Sequence, residues 1–259
     1  MIIIFGALKI ELENILSGIK ISRTGKAGGA IFYEGFFYTD PSKKEDVLIV
    51  ETGMGRVNAR QAARFVSKRI LGSSVSKKII ITGFCGAVDP DLRVGDPVYY
   101  NEIIKLGSRD RYLKNTENIS LKKYSIKLRK ESGNKGHFKT AVCGCVEEAV
   151  TDPAVKTKIH KDFQADVIDM ESYWIVSELL ARGSFIKDIY CIRVVSDNAK
   201  DFLPIYFASK SISRTIIYFL KSVFLSIFSR KEFRANINAL RNIKNAKERI
   251  DIMLFKDLL

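Results

Sequence analysis

The sequence predicts an α/β fold built from layers of strands and helices. Three observations lead to this prediction. The chain has 259 residues, which is enough for one large domain. Its composition, 46% hydrophobic and 28% charged, is typical of a folded protein and excludes a disordered one. Short β-branched runs bounded by glycine alternate along the chain with stretches of helical periodicity, as in a buried sheet covered by helices.

The predicted strands are short apolar runs rich in β-branched residues. In chain order they are Ile2–Phe5, Val47–Glu51, Lys78–Thr82, Asp96–Glu102, Lys139–Cys143 and Ile189–Val195. Between these runs, apolar residues recur with the spacing of one helix face. The helices predicted from this spacing span 9–20, 57–71, 153–162, 171–182 and 205–228.

The sequence predicts neither a membrane-spanning segment nor a secretory signal. Lys9 interrupts the apolar start, which excludes the apolar core of a signal peptide. Segment 216–228 is apolar, but Lys221 breaks it and it is shorter than the ~20 residues that a spanning helix needs. We therefore expect a cytoplasmic protein.

Cysteine and histidine usage predicts no covalent or metal framework. Four cysteines are too few for a disulfide scaffold, so we expect free thiols in a reducing compartment. The pair Cys143 and Cys145 is interpreted as buried small hydrophobic residues. With two histidines, no metal-ligand cluster appears at a familiar spacing, and neither a metal nor an organic cofactor is expected.

Positive charge is concentrated in two segments. The formal net charge is +14, and the surplus lies in 105–139 and 203–259, while the rest of the chain is nearly neutral. This distribution is unlike that of a protein devoted to nucleic acid. The sequence predicts a domain at 1–228 followed by a basic amphipathic helical extension at 229–259. Such a helix lies on an anionic membrane, or docks on its own protein or on a second subunit, and the pattern at 230–259 leaves these alternatives open.

Acidic residues follow the ends of several predicted strands. Glu11 comes after the first run, Glu171 opens a predicted helix and Asp197 directly follows the last strand. A single acid in such a place is best interpreted as a helix cap, worth ~1 kcal/mol. Three acids around one cleft are harder to explain by capping, because buried carboxylates repel one another and lose hydration. The pattern therefore predicts a site at the carboxyl ends of the strands.

Five short motifs occur in order along residues 1–228, and the glycines in them form no complete phosphate-binding fingerprint. They are Gly6–Glu11, Gly53–Ala59, Thr82–Ala87 with Val94–Asp96, Asp169–Ser172, and Arg193–Asp197. In this order they resemble the nucleoside phosphorylase and nucleosidase superfamily. Within it, the chain is most similar to nucleosidases that cleave methylthioadenosine and S-adenosylhomocysteine, and to the hopanoid-associated branch that removes adenine from adenosylhopane. The Asp-Met-Glu-Ser form at 169–172, Leu203-Pro204 and the basic C-terminus favour the hopanoid-associated branch.

The resemblance implies a role for each acid. Asp197 would be the general acid near purine N7, which requires it to carry a proton, and Glu11 would accept a proton from the attacking water. Glu171 would accept hydrogen bonds from the ribose hydroxyls. An aromatic residue that stacks on the purine is implied near 144–152, where we identify none. The other residues assigned to the substrate pocket are Met170, Gly83, Phe84, Cys85 and Ser196.

Departures from the family pattern favour hydrolysis over phosphorolysis. Phosphorylases of this superfamily hold phosphate with an Arg two residues before the motif glycine and a Ser or Thr just after it. Here Ile81 and Phe84 occupy these places, and neither side chain binds an oxyanion. Arg56 and Arg193 belong to other motifs of the set and are candidates for a partial anion site; the alternative for Arg193, which lies inside a predicted strand, is a structural role.

The sequence thus predicts a three-layer α/β fold with a twisted, mixed central β-sheet flanked by helices. The expected function is that of a purine nucleosidase that takes a 5′-modified adenosine and forms a homo-oligomer, with no nucleic-acid partner. A phosphate-dependent purine nucleoside phosphorylase is one alternative. The other alternative is a non-enzymatic scaffold whose basic segments bind a membrane or nucleic acid. The three acids argue against such a scaffold, because buried carboxylates are costly and a protein without catalytic activity has no need of them.

Overall fold

The computed structural model describes residues 1–40, 43–70, 78–108, 125–128, 138–182, 189–203 and 230–253. Within them a single sheet of eleven strands forms the middle layer. The strands are β1 (Ile2–Gly6), β2 (Lys20–Ala27), β3 (Ala30–Asp40), β4 (Lys43–Glu51), β5 (Lys78–Ile81), β6 (Phe84–Ala87), β7 (Pro97–Gly107), β8 (Ser125–Lys127), β9 (Lys139–Val146), β10 (Val167–Asp169) and β11 (Ile189–Asp197). The described helices are α1 (Lys9–Ser17), α2 (Arg56–Ile70), α3 (Pro153–Phe163), α4 (Ser172–Leu180) and α5 (Arg230–Met253).

The sheet is mixed and partly closed on itself. Its order is β2-β3-β4-β1-β5-β11-β6-β10-β9-β7-β8, and β11 also pairs with β7. Strands β4, β1, β5, β11 and β6 are parallel neighbours, whereas β2, β3 and β4 form an antiparallel meander at one edge. Because β11 pairs with both β6 and β7, the strands β11, β6, β10, β9 and β7 form a closed ring. Residues at or just after the ends of β1, β10 and β11 line one cavity, although β10 runs antiparallel to β11.

Helices cover both faces of the sheet. On one face, α2 and α4 pack against each other through small and branched side chains, among them Ala63 and Val176. On the other face, α1 contributes Leu12 and Ile15, and α5 contributes Ala246 and Ile250, to a core that includes strand residues of β1 and β4. Apolar burial of this kind contributes about 25 cal/mol per Å² to stability. The three-layer architecture predicted from the sequence is confirmed.

The predicted strands all exist, with boundaries that differ by a few residues. Sequence analysis missed the meander of β2 and β3, because β2 is almost wholly exposed and lacks an apolar face. It also missed β6 and β10, which are only four and three residues long. Four of the predicted helices are present as α1 to α4. The helix predicted at 205–228 lies outside the described residues.

The described cysteines are free and buried, as expected from their number. Helix α5, the predicted C-terminal extension, packs on its own chain: Ala239, Ala246 and Ile250 are at most 6% exposed. Lys247 on α5 also forms an ion pair with Glu13 on α1, at 2.6 Å. In the part of the chain that the structure covers, no helix is long and apolar enough to cross a membrane.

Candidate active site

A cavity of about 250 Å³ lies where strands β1, β10 and β11 end. This volume is close to the lower end of the roughly 300–1,000 Å³ typical of small-molecule sites. The three predicted acids, Glu11, Glu171 and Asp197, all line it although they come from distant parts of the chain. The remaining lining is Ala7, Leu8, Ile10, Met54, Phe84, Cys85, Gly86, Val146, Ala149, Val150, Ile168, Asp169, Met170, Ser196, Leu203, Ala239 and Ile243.

Glu11 lies in the first turn of α1, with its carboxylate turned back onto the backbone. Its Oε2 accepts the N–H groups of Ala7 and Leu8 at 2.7 and 2.8 Å, and its Oε1 accepts the N–H of Phe84 at 2.8 Å. The carboxylate therefore caps the helix and also joins α1 to β6. Burial raises the pKa of Glu11, while Arg193 and the three backbone donors lower it. A buried carboxylate with raised pKa is a stronger proton acceptor than one in water.

Gly83 makes room for this arrangement. Its φ is +133°, and a Cβ at this position would lie 2.5 Å from Glu11 Oε1 and 2.6 Å from Arg193 Nη1. A residue with a side chain would collide with both groups and would adopt a strained backbone conformation. The absence of a side chain at Gly83 therefore leaves space for the Glu11 carboxylate. Gly83 itself is not part of the cavity lining, whereas its neighbours Phe84, Cys85 and Gly86 are.

Glu171 precedes α4 and faces the loop after β4. Its Oε1 accepts the N–H of Gly55 at 2.7 Å, and Gly55 has φ +84°, a conformation that glycine adopts at little cost. Arg193 Nη2 lies 4.0 Å from Glu171 Oε2 and 3.4 Å from Asp169 Oδ2. Burial raises the pKa of Glu171 to about 7, against the lowering effect of Arg193.

Arg193 belongs to β11, is 1% exposed and lies close to the acids Asp169 and Glu171. Besides Asp169 and Glu171, its guanidinium contacts Ser172 Oγ at 3.1 Å. Its charge compensates buried carboxylates, which would otherwise be strongly destabilised. Arg56, the other arginine near a motif, instead pairs with Glu147 at 3.0 Å outside this cavity.

Asp197 is the last residue of β11, and an irregularity in the β11–β6 register between Val195 and Asp197 turns its side chain toward the cavity. Ser196 Oγ donates to Asp197 Oδ1 at 2.8 Å and also lies 3.1 Å from the Cys85 carbonyl. The buried ammonium of Lys156 binds Asp197 Oδ2. Gly86 allows the carboxylate to approach, since a Cβ there would lie 2.9 Å from Oδ2.

Sequence analysis missed several contributors to the site. Lys156 was hidden among the lysines of α3, although it lies three and seven residues before the buried Ile159 and Phe163 and so shares their helix face. Ala239 and Ile243 of α5 also line the cavity. Their position depends on how α5 docks, which no local pattern reveals. Around the implied aromatic position, Val146, Ala149 and Val150 line the wall instead.

The charge of the lining limits the chemistry of the site. Four carboxylates face the cavity, and none of the described lining residues is basic. A phosphate dianion would meet repulsion here without a compensating cation, whereas water and a neutral sugar would not. The arrangement suits protonation on one side of a bound molecule and proton abstraction on another.

Comparison with known proteins agrees with this geometry. The sequence matches the phosphorylase superfamily over residues 1–221. The chain belongs to this superfamily. Among curated relatives, the aminodeoxyfutalosine nucleosidase of Campylobacter jejuni is 23% identical over 215 residues, covering 76% of this chain and 86% of the relative. The 5′-methylthioadenosine/S-adenosylhomocysteine nucleosidase of Tolumonas auensis is 31% identical over 100 residues, covering 39% and 40%.

Solved structures of the superfamily share the fold of this chain. The 5′-methylthioadenosine/S-adenosylhomocysteine nucleosidase from Neisseria meningitidis, in complex with methylthio-immucillin-A, has a TM-score of 0.68 and 16% identity. The structural alignment covers 98% of this chain and 96% of the Neisseria chain. The futalosine hydrolase of Helicobacter pylori has a TM-score of 0.64 and 15% identity, covering 98% and 97%. The match of the family model over residues 1–221 confirms the superfamily predicted from the motifs, and these structures confirm its fold.

The raised pKa of Glu171 predicts a pH-dependent difference between wild type and Glu171→Gln. The folded protein holds a proton on Glu171 up to about pH 7, whereas the unfolded chain releases it near 4.5. The stability that this proton uptake provides is fully present below pH 4.5 and is lost as pH rises to about 7. Relative to wild type, Glu171→Gln should gain up to about 3 kcal/mol between pH 5 and pH 8.

Denaturant unfolding of both proteins at several pH values measures this change. Glu13→Gln, on an exposed part of α1, is the control and should show no such gain relative to wild type over the same range. A constant stability difference between wild type and Glu171→Gln from pH 5 to 8 would contradict the prediction.

Proposed function

We propose that the protein is a nucleosidase that hydrolyses the N-glycosidic bond of a 5′-modified adenosine and releases adenine. The observation that supports this most directly is the convergence of Glu11, Glu171 and Asp197 on one cavity of small-molecule size. The names of its relatives agree, since they include nucleosidases for aminodeoxyfutalosine, methylthioadenosine and S-adenosylhomocysteine.

The proposed mechanism follows the charge that develops as the bond breaks. The ribose becomes positive and oxocarbenium-like, and negative charge moves into the departing purine. Asp197 donates a proton to purine N7, which makes adenine a better leaving group. Glu11 accepts a proton from the attacking water on the opposite face of the sugar, in a division of labour like that of an inverting glycosidase.

The other pocket residues orient the nucleoside. Glu171 accepts hydrogen bonds from the ribose 2′- and 3′-hydroxyls, and its neighbour Met170 packs against the sugar. Phe84 and Cys85 line the region between sugar and base, beside Ser196. The aliphatic wall of Val146 and Val150 provides apolar contact for the purine.

Hydrolysis is favoured over phosphorolysis by the acidic lining. Ile81 is fully buried in the core and Phe84 presents a ring to the cavity, so neither replaces the phosphate ligands of a phosphorylase. Arg193 is held by Asp169 and Glu171, and its charge is already compensated. Water is therefore the proposed nucleophile.

The apolar lining of the cavity mouth supports an apolar group next to the ribose, as in a methylthio, a homocysteine thioether or a hopane substituent. Leu8, Ile10 and Met54 line the cavity and are still 36%, 38% and 50% exposed. We propose that a second subunit of a homo-oligomer, or a lipid-bearing substrate, covers part of this apolar rim, since exposed apolar patches mark such contacts. The protein would act in the cytoplasm.

Peripheral membrane contact through 230–259 is proposed for the exposed side of α5. The described side chains there include the exposed Arg241, Lys244 and Arg249, while the opposite side packs on the protein. Cosedimentation with anionic vesicles tests this contact, which should weaken at high salt if charge drives it. If the same amount of protein pellets with and without vesicles, the proposed membrane contact is contradicted.

The reaction is tested by following free base chromatographically from methylthioadenosine, S-adenosylhomocysteine, adenosine and inosine, each with and without phosphate. We expect adenine from the 5′-modified substrates at rates that do not depend on phosphate. Base release that requires phosphate would identify a phosphorylase. No base release from any adenosine derivative would favour a non-enzymatic scaffold.

A further inference from the structure

Lys156 is an unusual residue to find in the interior of this protein. It lies on α3 and is 0% exposed. Lysine is almost never fully buried unless it is paired, because an ammonium loses its hydration there. Its Nζ binds Asp197 Oδ2 and donates to the Asn198 carbonyl at 2.8 Å. The buried cation therefore lies directly behind the proposed general acid.

Stability alone is a poor explanation for this pair. Replacing a buried ion pair by apolar residues of similar volume is often neutral or stabilising by roughly 1–4 kcal/mol, because desolvation offsets the attraction between the charges. An apolar side chain would suit position 156, since the buried Ile159 and Phe163 lie on the same face of α3. The partner of Lys156 is, however, the carboxyl group that must give up a proton in the proposed reaction.

We infer that Lys156 is a positioning residue that promotes proton transfer from Asp197 to the departing base, by stabilising the carboxylate that the transfer leaves behind. This inference rests on the proposed nucleosidase function. Lys156 does not line the cavity, so it acts through Asp197 and not on the substrate. It binds one carboxyl oxygen, Oδ2, and leaves the other for the reaction.

The contacts of Ser196 provide the matching arrangement at Oδ1. The single hydroxyl proton of Ser196 can point to Asp197 Oδ1 or to the Cys85 carbonyl, which lie 2.8 and 3.1 Å from Oγ. When the hydroxyl donates to Cys85, Oδ1 can carry the reacting proton. When the carboxylate has formed, the hydroxyl donates to Oδ1 instead. Both oxygens of the product carboxylate are then hydrogen-bonded, one by Lys156 and one by Ser196.

The step balances without any further reactant. The Oδ1–H bond of Asp197 breaks and an N7–H bond forms, while the electron pair of the C1′–N9 bond passes into the purine. Asp197 becomes a carboxylate that faces the Lys156 ammonium, which keeps its own protons throughout. After adenine leaves, Asp197 recovers a proton from solvent. In the substrate complex Asp197 carries the reacting proton, and its attraction to the ammonium grows as that proton leaves. Lys156 therefore stabilises the transition state more than the substrate complex.

A comparison of leaving groups tests this role. Lys156→Met should lower kcat for adenine release from methylthioadenosine by about 100-fold, a typical cost of removing one transition-state stabiliser. KM should change by less than about 3-fold, because Lys156 does not touch the substrate. For the 4-nitrophenyl riboside that carries the same 5′ group, kcat should stay within about 3-fold of wild type, since nitrophenolate leaves without protonation.

Matched variants complete the experiment. Lys156→Arg keeps the positive charge and should recover adenine release to within about 10-fold of wild type. Lys158→Met removes a half-buried lysine of the same helix, which pairs with Asp162, and should leave the release rates from both substrates unchanged. The ratio of the two leaving-group rates within one variant does not depend on the amount of folded enzyme.

The outcomes separate this inference from the proposed function. Equal losses for both leaving groups in Lys156→Met, or no loss for either, would overturn the role of Lys156. The role of Asp197 itself is judged by Asp197→Asn on the same two substrates. If Asp197→Asn also fails to discriminate between them, the proposed leaving-group chemistry is wrong, and the inference about Lys156 falls with it.

Discussion

Asp197→Asn should lower the turnover of methylthioadenosine by about 100- to 10,000-fold, the contribution typical of a general acid. The amide has nearly the shape of the carboxyl group but does not deliver a proton to purine N7. The departing adenine would then have to leave as an anion. The rate of adenine release at saturating substrate measures the effect.

The fold of Asp197→Asn should survive. The Asn carbonyl still accepts from the buried Lys156 ammonium, which also keeps its bond to the Asn198 carbonyl. Removing the carboxylate that pairs with the buried Lys156 ammonium should cost about 3–5 kcal/mol, detectable as a lower melting temperature with an unchanged circular dichroism spectrum. Asp166→Asn is a matched control, because Asp166 is half-buried but does not line the cavity. An Asp197→Asn enzyme with more than a tenth of wild-type turnover would remove the leaving-group role.

Glu11→Gln should have the second largest effect, with kcat lower by about 100- to 1,000-fold. A neutral amide does not accept the proton of the attacking water. This variant should also lose stability, because the carboxylate accepts three backbone N–H groups through both oxygens. The Gln amino group faces at least one of these donors, at a cost of about 1–3 kcal/mol.

The control for Glu11 lies on the same helix. Glu13→Gln removes a carboxylate whose side chain is 53% exposed and which pairs with Lys247, and it should keep wild-type turnover. Assays should be run well below the melting temperature of Glu11→Gln. If that variant proves too unstable, Glu11→Asp keeps the charge on a shorter side chain and should retain more turnover than Glu11→Gln. Wild-type turnover by folded Glu11→Gln would exclude Glu11 as the proton acceptor.

The alternation of elements was largely predictable from local sequence. Ile2–Phe5, and Ile189–Val195 apart from Arg193, are apolar on both faces, which is the pattern of a strand buried between helices. The exposed strand β2 shows no such pattern, since all but one of its residues are exposed. Its place in the sheet comes from hydrogen bonds to β3 and not from its own side chains. Short strands such as β10 are equally invisible, because three residues carry no periodicity.

The acids of the site were predictable as a group because they follow strand ends. Glu11 and Asp197 follow β1 and β11, which run in the same direction and so end at one edge of the sheet. Glu171 follows β10, which runs in the opposite direction, and only the closed ring of strands brings it to the same cavity. Their chemical environments were not predictable in the same way. The pKa of Glu171 depends on burial and on Arg193, which approaches from another strand. Lys156 was missed because a lysine on a helix normally points to solvent. Only the packing of α3 on β7, β9 and β10, which lets Lys156 reach Asp197, shows that this one does not.

The sequence by itself determined the superfamily, the alternation of strands and helices, and the identity of the acids, since motifs and periodicity are properties of neighbouring residues. The tertiary structure alone decided which charges meet. The contact of Lys156 with Asp197, the support of Glu11 by the backbone at Phe84, and the closure of the cavity by Ala239 and Ile243 all join segments far apart in the chain. Electrostatic interactions and burial depend on distance in space, and that distance is fixed only when the layers pack.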